Sequence, residues 1–171
     1  EFRRVLFRSG MEYSDLDAVV TGVGPGPFTG LRVGMATASA LADALSIPLH
    51  GICTHDAIAA AADLHVEPAA AADEATALVA TDARRKEIYW ATYRATDSGV
   101  QRISGPAVTK PAELEVELAS TAEVIIPDRL AEQLPELLAA LPHRAAQPTA
   151  AALVAAADLE AEPAPVVPLY L

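Results

Sequence analysis

A mixed α/β (α+β) chain in two lobes is predicted by three observations. β-branched runs alternate with alanine- and leucine-rich helical segments, a charged turn joins two strand-like runs in the second half, and residues 66–74 (VEPAAAADE) interrupt the pattern with proline and acids. The 171 residues suffice for a real core, since a chain of this size removes roughly 70% of its unfolded surface on folding.

Residues 17–23 (DAVVTGV) form a short apolar run ending in glycines and read as a buried strand. The loop Gly24-Pro25-Gly26-Pro27-Phe28 follows, and residues 29–45 lack proline, open on a capping Thr29 and are closed by Pro48, which marks a helix. Residues 48–52 give a second strand, and Thr54 or Asp56 caps a second helix to about residue 64. Beyond the linker, residues 77–81 and 87–93 flank the turn Asp82-Ala83-Arg84-Arg85-Lys86, and residues 97–99 turn the chain into 100–103, an antiparallel meander. Pro111 opens a helix to about residue 120, residues 123–127 are strand-like, and leucines at 130, 134, 137, 138 and 141 mark a helix over 129–141. Thr149 caps a last helix to about residue 160, and residues 166–171 (VVPLYL) are again strand-like. The core is expected to be thin in bulk because alanine dominates the helices. Residues 11–75 are assigned to the first lobe and 76–171 to the second. Residues 1–10 are set aside as a non-native scar, because the first nine hold three arginines against one glutamate in an otherwise acidic chain.

Lys and Arg number 12 against 23 Asp and Glu, a net charge of −11. That balance disfavours the chain as the main phosphate-neutralising surface for a nucleic acid. A single cysteine excludes an internal disulfide and fits a reducing, cytoplasmic setting. No run of 18 apolar residues suggests a membrane span.

The glycine-rich strand-to-helix turn within residues 21–34 (TGVGPGPFTGLRVG) is where backbone N–H groups and a helix N-terminus could meet a phosphate. Its spacing matches neither the dinucleotide nor the P-loop fingerprint, and Pro25 and Pro27 remove two donors, so a rigid structural turn stands beside the phosphate reading. Gly30, Gly34, Ala38 and Ala42 recur every four residues in a helix whose only charges are Arg32 and Asp43. An apolar helix of this kind must be covered, either within the chain or by another subunit, and small residues allow a second backbone close approach. His50, His55, His65 and His143 lack metal-ligand spacing, and no serine sits in a nucleophile elbow. Cys53 reads as a core thiol, Tyr89, Trp90 and Tyr93 as sheet packing, and Asp82 to Glu87 as a solvated, salt-linked turn with a phosphate site as the alternative. No catalytic or metal-binding residue is assigned.

The segment GVGPGPFTGLRVGMATASALADALSIPLHGI, followed by TDARRKEIYWATY and a closing PLYL, resembles the bacterial TsaB (YeaZ) family of tRNA threonylcarbamoyladenosine biosynthesis proteins over residues 11–171. Pro27 stands where the family commonly has serine. The resemblance implies an actin-like, ribonuclease H-like (ASKHA) fold. It implies a non-catalytic scaffold that binds the TsaD transferase in the complex making N6-threonylcarbamoyladenosine at position 37 of tRNAs reading ANN codons. A TsaE ATPase then joins the pair, homodimers form when TsaD is absent, and tRNA is met only through the complex. The family's interface helix corresponds to residues 29–45, with Thr29, Gly30, Leu31, Arg32, Gly34, Ala38, Leu41, Ala42 and Leu45 as its contact residues. Gly24, Gly26, Phe28, Asp82 and Arg84 correspond to a nucleotide or turn loop. No cofactor is implied for the chain alone, and ATP or ADP at a subunit interface is left open. The family's opening strands and first interface helix are absent here, so the first lobe is expected to be incomplete, with unpaired edges, lower stability and a tendency to associate. The competing reading is an enzyme, either an actin-like phosphotransferase or a peptidase.

Overall fold

The computed structural model describes residues 9–62, 64, 75–97, 99–114 and 120–171. Strands β1 (Val19–Gly24) and β2 (Leu49–Cys53) pair in parallel, Val20 opposite His50, and helix α1 (Phe28–Leu45) crosses between them. Helix α2 (Thr54–Ala61) follows β2 directly. A second sheet is ordered β5-β4-β3-β6-β7. In it β3 (Thr76–Arg84), β4 (Glu87–Thr96) and β5 (Gly99–Thr109) form the antiparallel meander, and β6 (Thr121–Ile125) and β7 (His143–Arg144) add in parallel. Helices α3 (Asp128–Ala131), α4 (Glu136–Ala139) and α5 (Ala150–Ala155) complete the order.

Side chains of β3 alternate across this sheet, as period-two geometry requires. Leu78 and Ala80 join Ile88, Val124, Leu130 and Leu138 beneath α3 and α4, whereas Ala77 and Val79 join Ile58, Ala59, Tyr93 and Ile125 beneath α2. Strand β3 and its neighbours β4 and β6 are therefore packed on both faces, whereas the edge strand β5 is largely exposed. The helix on the second face of this sheet comes from before the linker, and the fully buried Ala57 and Ala59 let that helix seat closely. The linker itself, at 66–74, lies outside the described residues, as do residues 1–8 of the basic N-terminal segment.

Several boundaries differ from the sequence expectation for local reasons. Helix α1 begins one residue early, at Phe28, with Pro27 rather than Thr29 at the cap and the Leu31 amide donating to the Pro27 carbonyl at 3.0 Å. Its end is a left-handed Ser46, φ 57°, with the Ile47 amide donating back to the Ala42 carbonyl, a Schellman closure with serine in the place glycine usually takes. The expected helix over 129–141 is two single turns, because Pro135 removes an amide donor in its middle and caps α4 instead. Thr149 caps α5 through its side chain to the Ala152 amide at 3.1 Å, but the helix ends at Ala155 rather than near 160. Pro111 opens a 3₁₀ turn, Pro111–Glu113, and residues 115–119 of the helix expected there lie outside the described residues. Residues 166–171 form no strand. They run as an extended strap along the first sheet, with the Leu169 amide donating to the Val23 carbonyl at 2.8 Å.

Candidate functional site

Two features from opposite ends of the sequence reading meet at one cleft. The loop after β1 and the turn after β3 line a cavity of 490 Å³ bounded by Gly26, Phe28, Asp82, Arg84, Tyr89 and Tyr170. Of the five loop residues named from sequence, four thus share a single surface, and the fifth, Gly24, lies at its root. Gly24 is buried at φ +102°, and a Cβ there would come within 3.2 Å of both the Leu169 carbonyl oxygen and the Leu31 side chain, so the position requires glycine.

The cleft is built by side-chain chemistry that the sequence did not disclose. The guanidinium of Arg32 lies 3.9 Å from the Phe28 ring centroid and its Nε donates to the Tyr170 hydroxyl at 2.8 Å, while the Phe28 and Tyr170 rings stand 5.4 Å apart. The strap is thereby fastened to the first turn of α1. Across the cleft, Asp82 accepts from the Arg84 amide at 2.7 Å and pairs with Arg129 at 3.3 Å. Both charges of that pair are substantially solvated, so it orients the turn more than it stabilises the fold.

The contact residues expected on α1 do not share one face. Thr29, Gly30, Arg32 and Gly34 are exposed, Leu31, Leu41 and Leu45 are half-buried, and Ala38 and Ala42 are buried with Met35 toward the first sheet. A four-residue step advances the helix by about 400°, so a stripe of three such steps winds by about 120° around the axis. Gly30 and Gly34 consequently look outward, with nothing within 4 Å of a Cβ at either position. Of the two coverings open to this apolar helix, the described residues supply only the one beneath Met35, Ala38 and Ala42. Its outer side presents Gly30, Val33, Gly34, Ala36, Thr37, Ala40 and Ala44 to solvent.

A polar cluster away from the cleft was also missed. Asp56 Oδ1 accepts from the Tyr93 hydroxyl at 2.7 Å and pairs with Arg102 at 3.3 Å, tying α2 to β4 and β5. Burial first, and then the Asp56 carboxylate, push the Tyr93 hydroxyl pKa upward, so it stays a donor. His55 is fully buried with Nε2 2.8 Å from the Thr81 hydroxyl, and burial lowers its pKa to about 4. Cys53 is buried and its thiol pKa is raised, chiefly by desolvation, in keeping with a core thiol. Sequence offered no pairing signal for these contacts: Asp56 already had a reading as a helix cap and Tyr93 as sheet packing. Among the described residues no group of three His, Cys, Asp or Glu side chains could hold a metal ion, and no helix is long and apolar enough to cross a membrane.

Comparison with known proteins agrees with this architecture. The family model described as "TsaD: tRNA N6-adenosine threonylcarbamoyltransferase" matches residues 2–162. An uncharacterised protein of Mycobacterium leprae is 47% identical over 92% of this chain and 38% of its own length. One of Mycobacterium tuberculosis is 43% identical over 95% of this chain and 67% of its own length. The Escherichia coli protein called tRNA threonylcarbamoyladenosine biosynthesis protein TsaB is 36% identical over 56% of this chain and 39% of its length. This chain spans 38% of the M. leprae relative's length, well under half. The solved structure titled YeaZ from Pseudomonas aeruginosa superposes with a TM-score of 0.76 over 99% of this chain and 80% of its own, at 24% identity, so the two chains share a mixed α/β fold. The two-sheet architecture, the loop and turn signatures meeting at one cleft and the family match together show that the chain belongs to the tRNA N6-adenosine threonylcarbamoyltransferase family and, within it, to the TsaB/YeaZ group.

Proposed function

We propose that the chain is a non-catalytic scaffold subunit in the synthesis of N6-threonylcarbamoyladenosine at position 37 of tRNAs reading ANN codons, and that it docks a TsaD-type transferase through the outer side of α1. The observation that carries this reading is the uncovered, uncharged surface around Gly30, Val33, Gly34, Thr37 and Ala40, where a second helix backbone could approach as closely as small residues permit. The names of the bacterial relatives supply the pathway. In the same reading a TsaE-type ATPase joins the pair, homodimers form through α1 when the transferase subunit is absent, and the assembly works in the cytoplasm. No cofactor is assigned to the chain alone, and any nucleotide belongs to the shared interface.

The test is light scattering on size-exclusion fractions of the chain mixed with a TsaD-type subunit. A 1:1 complex that is lost on Gly34→Leu, with the variant still folded by circular dichroism, supports the scaffold reading. Absence of any complex with the unaltered chain overturns it. Threonylcarbamoyl transfer by the chain alone would favour the enzyme reading instead.

A further inference from the structure

Arg84, Arg85 and Lys86 stand consecutively at φ 65°, 51° and 65°. Arg84 lies opposite Glu87 in the β3–β4 ladder, so Arg85 and Lys86 form a two-residue hairpin loop. A tight hairpin calls for left-handed backbone at both loop positions, which Asn-Gly provides with least strain. Here three long cationic residues adopt it instead, and all three are exposed.

Most other cations among the described residues are exposed or half-buried and partnered; Arg94, whose buried Nε has no partner among the described residues, is the exception. Arg102 is paired with Asp56, Lys110 with Glu113, Arg129 with Asp82 and Arg144 with Glu123. Arg32 is held by Phe28 and Tyr170. Among the described residues, Arg84, Arg85 and Lys86 make no ion pair, although the turn is flanked by two acids. Asp82 is already engaged by the Arg84 amide and by Arg129, and Glu87 is half-buried at the strand start. A chain of net charge −11 repels a polyanion at long range, so contact with one requires cations gathered at a single protruding point.

We propose that the β3–β4 turn is a phosphodiester contact, through which this subunit meets the tRNA backbone within the assembled complex. The inference rests on the scaffold reading above and adds to it the surface by which the subunit touches RNA. Arginine forks suit phosphate oxygens, and such contacts position a nucleic acid without reading its sequence.

The test uses the assembled complex with its transferase subunit and compares the unaltered chain with the double variant Arg85→Asn/Lys86→Gly. Those replacements suit the hairpin better than the native residues and should preserve the fold. Binding of tRNA is followed by fluorescence anisotropy between 50 and 200 mM salt, the range over which phosphate contacts are read. We expect affinity to fall about tenfold at the low end, and the slope of log K against log salt to become shallower by about 1.5–2, alike for tRNAs of different sequence. Unchanged affinity and slope would overturn the proposal. So would loss of assembly in the variant, which would identify the turn as a protein-docking point. An unaltered complex that assembles but binds no tRNA would sink the tRNA reading as well, and that result is visible without any variant.

Discussion

His55 carries the clearest pH signature at the level of single residues. One ring nitrogen meets Thr81 and the other, Nδ1, is buried with no partner among the described residues; burial holds the ring neutral and its pKa falls to about 4. The unfolded chain binds a proton near pH 6.5 that the folded chain does not take until about pH 4. The stability this group contributes is therefore full above pH 6.5 and is lost as pH falls toward 4, by about 3 kcal/mol at most. Urea unfolding of the wild type and His55→Gln across that window should show a shallower pH slope in the variant. Tyr93→Phe should lower stability by about 1–2 kcal/mol at neutral pH, because the Asp56 carboxylate loses its hydrogen bond from Tyr93 and keeps only the Arg102 pair. An unchanged urea midpoint would mean that water replaces the hydroxyl.

At the level of the element, α1 separates residues that hold the fold from residues that face outward, although the sequence ranked them alike. Ala38→Leu adds bulk against the first sheet and should cost about 1–3 kcal/mol by chemical denaturation. Gly34→Leu meets open space and removes a helix glycine, so it should stabilise the chain by about 0.5–1 kcal/mol while abolishing the complex. This opposite response of stability and assembly is hard to produce by general disruption. The helix itself was legible from its lack of proline and from Pro48, but its polarity in space was not. A repeat of four drifts around a helix of 3.6 residues per turn, and only the position of β1 and β2 decides which portion of the drift is buried. The split of the 129–141 helix was legible in principle, since Pro135 sits in the middle of the leucine stripe. Leu130 and Leu138 nevertheless reach the core from two separate turns, and Leu134 from the bend between them.

Across the whole molecule, the order of strands and helices followed from local patterning, whereas the closures between distant segments did not. The meander is visible as two β-rich runs around a charged turn. Nothing in one sequence pairs Arg32 with Tyr170, 138 residues away, or Val23 with Leu169. The loop and the Asp82 turn could be named as separate motifs, yet their shared cleft emerges only when the strap closes one side. Removing residues 166–171 should lower the melting temperature, since the deletion strips the Leu169–Val23 hydrogen bond, the Val166 contact over Gly51 and the Tyr170 contacts with Phe28 and Arg32. A melting temperature equal to that of the intact chain would show that the strap decorates the first sheet without supporting it.

That strap also imposes an order of events during synthesis. A ribosome adding about 5–20 residues per second needs roughly 7–30 s to travel from Arg32 to Tyr170. Throughout that interval the emerging chain carries the glycine loop and the first turn of α1 without their final partner. The early part of the protein is therefore the last to be finished, and the outer side of α1 is exposed before the cleft beside it has closed.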